Sequence, residues 1–170
     1  MKFNIHLILL AILNNLFVGV ISAQKMPKDF ELTFKFGYHA EEATFFDSKK
    51  GTLVVQGLDT VMTFKLKLTS KEKQTIYNEL KKINFISYPE KYKYADSLNT
   101  TVSSPCRHFF LTTLLNNNFK AVEWDNCVNS INKDEKHAAL MSIDRVIEKI
   151  IWARNPLKDY HSARVRFDPN

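Results

Sequence analysis

Glycine is scarce in this chain: four residues in 170, one of them within the first 23. A glycine-rich loop that cradles phosphate is therefore absent, and nucleotide sites of that type are excluded. Cysteine is scarcer still, with two residues, Cys106 and Cys127, far from the Cys-x-x-Cys spacing of a reactive thiol pair. Among the histidines after residue 23, His39, His108, His137 and His161, none stands in a His-x-His, His-x-x-x-His or His-Glu-x-x-His arrangement. Ser103-Ser104 precede a proline and lack the flanking glycines of a hydrolase nucleophile elbow. These absences leave no catalytic, cofactor or metal motif: the expectation is no cofactor, no metal ligand set and no catalytic residue.

Beyond residue 23 no stretch is apolar enough to span a bilayer, a task that needs about 20 residues. The amino terminus itself reads as a cleaved signal peptide. Lys2 supplies the positive start, the mostly apolar run Ile5 to Ile21 follows, broken at Asn14-Asn15, and Ala23 offers the small residue before the cut. No cysteine stands near that cut, which argues against a bacterial lipid anchor there. Cleavage after Ala23 leaves residues 24–170, a length suited to one domain with a real core. The expected location is exported, periplasmic or extracellular.

What is abundant is aromatic: thirteen Phe and 12% aromatic residues overall, beside 25% charged residues, a globular composition. The net charge of +6 falls to +5 once Lys2 is removed. The basic residues mix with acids except in the run Lys65–Lys82, which reads as a solvated face. A mild excess of this kind also suits association with anionic surfaces, while export argues against a nucleic-acid partner. Another envelope or extracellular protein is the expected partner.

In an exported chain two cysteines normally pair. The hairpin they flank makes the pairing specific. Cys106 to Leu115 and Phe119 to Asp125 are rich in strand formers, and Asn116-Asn117 tolerate the left-handed backbone of a two-residue turn. With that turn, Leu115 faces Asn118, and the same register carries Cys106 opposite Cys127 on a non-hydrogen-bonded pair, where strands lie closest. It also sets Phe109 against Trp124 and Leu111 against Val122 on one apolar face.

The rest of the chain alternates or cycles. Phe30, Leu32, Phe34, Phe36 and Tyr38 form one face of a strand; Ala43 to Asp47 and Thr52 to Gln56 flank the turn Ser48-Lys49-Lys50-Gly51; Met62, Phe64, Leu66 and Leu68 point inward. Thr69 and Glu72 then make a capping box, and Ile76, Tyr77, Leu80 and Ile83 recur at helical spacing. Residues 87–105, which contain Pro89 and Pro105, read as a long loop. A second helix is expected from near Asn132 to about Arg154, burying Leu140, Ile143, Val146, Ile147, Ile150 and Ile151. Residues 156–170 form a tail in which Arg164 to Phe167 suit a short strand. The expected fold is α+β: a single antiparallel sheet of about six strands, in the order β-β-β-β-α-β-β-α, with both helices on one face.

Two clusters are candidates for function. Tyr88, Lys91, Tyr92, Lys93 and Tyr94 interleave aromatics with lysines, a pattern suited to protein or glycan contacts, or to stapling a helix end. His108 faces Asp125, with Glu123 one pleat away, which reads first as an exposed cross-strand ion pair. Trp124 and Trp152 fall on apolar stripes and read as core. Asn99-Thr100-Thr101 matches a glycosylation sequon.

The strand Asp29 to Tyr38, the run Leu66 to Glu72 leading into a helix that ends Ile83 to Glu90, the segment Val122-Glu123-Trp124-Asp125 and a last amphipathic helix together resemble small exported or lipid-anchored bacterial domains of unknown function, with a Bacteroidota-like signal ending. That resemblance spans roughly residues 29–152 and implies no catalytic residues. The glycine-rich first turn usual in those domains is largely missing here, and the Cys pair is not general among them. The functional expectation is a non-catalytic binding or inhibitor-like module, with an envelope-associated structural protein as the alternative and a hydrolase of dispersed residues third.

Overall fold

The computed structural model describes residues 25–39, 42–57, 60–93, 100–102, 105–130 and 134–154. Residues 1–24 (which include the expected signal peptide), Tyr94, the sequon's Asn99 and the tail 156–170 lie outside them. The described chain is α+β. A six-stranded antiparallel sheet has the order β4-β3-β2-β1-β6-β7, built from β1 (Glu31–His39), β2 (Glu42–Asp47), β3 (Thr52–Gln56), β4 (Val61–Lys65), β6 (His108–Leu115) and β7 (Asn118–Asp125). Two helices, α1 (Ser70–Lys82) and α2 (Glu135–Trp152), pack on one face.

Local chemistry sets each boundary. At the β2–β3 turn Asp47 Oδ1 accepts from the amides of Lys49 and Lys50, both at 2.9 Å, and Gly51 takes the left-handed φ of 63° that closes it. Thr69 caps α1 by the expected box: its hydroxyl accepts from Glu72 N at 3.2 Å, and Glu72 Oε2 accepts from Thr69 N at 2.7 Å. Left-handed Asn84 (φ 53°) then ends the helix, and a single 3-10 turn, Phe85–Ser87, leads away.

The start of α2 differs from the expectation. The cap is Asp134, not Asn132: its carboxylate accepts from Lys136 N at 2.9 Å and His137 N at 3.3 Å. An Asn-x-x-Glu box and an Asp cap satisfy the same free amides, so spacing alone does not separate them. The expected loop 87–105 also differs. Within it, β5 (Thr100–Val102) pairs with β8 (Val128–Ser130), a second small sheet. Three-residue strands hold too little alternation to be seen in a sequence.

The core lies between the sheet and the helices. Phe34, Phe46, Leu53, Val55, Leu111 and Val122 are fully buried from the sheet side, and Ile76, Leu80, Leu140, Ile143, Ile147 and Ile151 from the helix side. Val146 and Ile150, expected in the same stripe, are partly buried at its margin. Phe34, Phe109 and Trp124 stack at its centre, with centroids 5.4 to 6.3 Å apart. Each such ring contributes about 2 kcal/mol through burial. Leu66 and Leu68 are buried beyond the end of β4 and carry the chain under the sheet towards α1.

Candidate functional site

The β6–β7 hairpin organises the candidate site. Asn116 and Asn117 adopt φ of 50° and 61°, the two left-handed residues of a type I′ turn, and Leu115 faces Asn118. Asp29 accepts both turn amides, at 3.0 and 2.7 Å, and the Asn117 amide chiefly holds its carboxyl below the ordinary range. The register runs unbroken to His108 opposite Asp125. One hydrogen-bonded pair further, Arg107 with Asn126, brings Cys106 and Cys127 together with Cα atoms 4.5 Å apart, joined as a disulfide.

Alternation sends Cys106, His108, Phe110, Glu123 and Asp125 to the face of the sheet away from the helices. A hollow of about 510 Å³ opens there, lined by Lys35, Gly37, Ala43, His108, Phe110 and Glu123, with Phe36 and Phe109 at its floor. Phe110 is 40% exposed and Phe119, further along the same face, 70% exposed. Cys106 Sγ lies 4.0 Å from His108 Nε2. The register sets His108, Glu123 and Asp125 on one face, but the expected His108–Asp125 ion pair does not form, because both acids have other partners. Asp125 Oδ1 accepts from Cys127 N at 3.0 Å, and Glu123 Oε2 stands 4.0 Å from Lys91 Nζ. His137 Nε2 donates to the Asp125 carbonyl at 2.8 Å, which ties α2 to the hairpin end.

On the helix side of the same end sits a second polar group that the sequence reading missed. Arg107 pairs with Glu148 and lies over the rings of Phe36, Tyr38 and Phe109, at 5.1, 5.8 and 5.2 Å from their centroids. Asp144, one turn before Glu148, is only 3% exposed, and its Oδ1 has no hydrogen-bond partner among the described residues. Burial, a hydrogen bond to Glu148 and the Glu148 charge push the Asp144 carboxyl up to about 8, against the opposing pull of Arg107 and Arg145. It is thus a neutral acid at pH 7 that donates to its charged neighbour. The signal was present: Asp144 follows Leu140 by four and precedes Ile147 by three, inside the apolar stripe.

The aromatic segment performs structural work in this arrangement. Tyr88 is buried, stacks on Phe85 at 6.4 Å, and its hydroxyl donates to the Lys136 carbonyl at 3.1 Å. Burial, then the nearby Asp134 charge, raises the Tyr88 hydroxyl above its ordinary value. Tyr92 donates to the Asp134 carboxylate. Between them the backbone clamps the outer edge of β7: Tyr92 N donates to the Glu123 carbonyl at 2.8 Å, and Glu123 N to the Glu90 carbonyl at 2.7 Å. Lys91 and Lys93 are exposed to solvent.

Comparison with models of known protein families finds no match, and comparison with curated proteins finds none either. No helix among the described residues is long and apolar enough to cross a membrane.

Proposed function

We propose that this protein is a non-catalytic exported binding module that takes another envelope or extracellular protein on the face of its sheet turned away from the helices. The observation that carries the reading is the unequal treatment of the two faces. One is sealed by α1 and α2, while the other leaves Phe110 exposed at the 510 Å³ hollow and Phe119 exposed further along the same face. Exposed aromatics bordered by charges, here Lys35 and Glu123, suit protein contacts. The disulfide supports an oxidising compartment, where such partners reside.

Photo-crosslinking in the native cells tests this. Benzoylphenylalanine at Phe119 is expected to give one discrete protein adduct, with none from the same group at Lys71, exposed on α1. Equal, diffuse labelling from both positions overturns the reading. Adducts to lipid alone favour the envelope-structural alternative.

A further inference from the structure

We propose that Cys106, Cys127 and His108 bind a zinc ion when the disulfide is reduced, so that the hairpin end is a redox-gated metal site. Their ligand atoms all lie within 4.8 Å of one another. Two thiolates and one imidazole are the donor set of a three-ligand zinc centre with an open fourth position. Tetrahedral zinc, with Zn–S near 2.3 Å and Zn–N near 2.0 Å, places sulfur about 3.6 Å from nitrogen and the sulfurs about 3.8 Å apart. Cys106 Sγ is already 4.0 Å from His108 Nε2. The sulfurs need only part by rotation about their Cα–Cβ bonds, because the Cα atoms stay 4.5 Å apart across the strand pair.

A structural disulfide needs no imidazole beside it. Here strand alternation puts the exposed His108 two residues beyond Cys106 on the same face, at the mouth of the hollow. The surroundings hold the ligands in place. Asp125 accepts the Cys127 amide at 3.0 Å, and Asn126 Oδ1 accepts the Arg107 amide at 2.6 Å, so the Cys127 backbone and the peptide that follows Cys106 are pinned from outside the donor set. The half-buried cysteines leave the bond reachable by a reductant.

The chemistry balances as follows. A dithiol reductant of the Cys-x-x-Cys class delivers two electrons and two protons to the disulfide and becomes a disulfide itself, leaving two thiols here. Zinc then replaces the two thiol protons, which pass to solvent, while neutral His108 gives its Nε2 lone pair and water fills the fourth position.

The test uses the full domain, reduced with a non-thiol phosphine and titrated with zinc, and with cobalt as the spectroscopic probe. Expected are one metal per reduced chain, about two protons released, and a thiolate-to-cobalt charge-transfer band. Affinity is expected to fall about 100-fold or more in the oxidised protein and at least about tenfold in His108→Ala. His108 is exposed, so that variant keeps its fold. Equal affinity of His108→Ala and the parent overturns the site, as does equal binding by the oxidised form. Amide spectra recorded alongside decide the remaining case: a reduced chain that loses its fold and does not regain it with zinc also overturns the proposal.

Discussion

Replacing Asp144 by Asn isolates a single buried proton. In the folded chain this carboxyl titrates at about 8, whereas its ordinary value is 3.8. Between those values the folded state holds a proton that the unfolded state has lost. Stability must then fall as pH rises from about 4 to about 8, by up to ~1.4 kcal/mol per pH unit. Summed over the window the cost reaches several kcal/mol at pH 8, a large share of the ~5–15 kcal/mol typical of a domain. Asn keeps the shape and a donor towards Glu148 but carries no proton to lose. Urea unfolding at pH 5, 6, 7 and 8 is the assay. Asp144→Asn is expected to exceed the parent by about 1–2 kcal/mol at pH 5 and by several at pH 8, the gap widening by up to ~1.4 kcal/mol per pH unit. Parallel stability profiles for the two proteins, or a variant weaker at pH 8, would refute the neutral-acid assignment and with it the account of the Arg107–Glu148–Asp144 group.

Three further outcomes follow from the fold. Replacing both cysteines by serine reopens a loop whose ends are 21 residues apart and is expected to cost ~3 kcal/mol, read as a lower urea midpoint. Asn117→Val forces a β-branched side chain to φ 61° and is expected to cost about 1–2 kcal/mol by the same assay, with Asn117→Gly neutral or stabilising. Thr69→Ala removes the α1 cap and is expected to cost about 1 kcal/mol at pH 7. Burial opposes the ionised form of Glu72, yet Thr69 and Arg154 hold its carboxyl below the ordinary range. The part of that cost carried by Glu72 is present above the usual carboxylate range and shrinks as pH falls through the lowered value.

Local signals made most of the architecture readable. The hairpin was fixed by two asparagines suited to left-handed backbone, and every pair from Leu115–Asn118 to His108–Asp125 keeps the register that turn implies. The Cys106–Cys127 bond follows from the same count. Long-range features were hidden. Nothing near Thr100 announces that its partner is Ser130, and nothing in β1 announces that β6 lies beside it. The aromatic cluster shows a different difficulty: Tyr88 and Tyr92 have the composition of a contact surface, but their hydroxyls reach Lys136 and Asp134 across 48 and 42 residues. Asp144 was overlooked because a lone acid in an apolar stripe is read as noise unless its neighbours in space are known.

The clamp of Glu90 and Tyr92 on Glu123 makes the sheet one-handed in its capacity to grow. Unpaired amides and carbonyls along an edge strand invite another chain to add a strand. At β7 that invitation is withdrawn, because the donor and acceptor of Glu123 are taken by the chain's own segment. At β4, the opposite edge, the sheet order ends without a further strand among the described residues, and Lys65 and the following Lys67 stand exposed beside it. A partner that extends this sheet at β7 would first have to displace the Glu90–Tyr92 segment from Glu123, whereas at β4 it would meet a border of charged side chains.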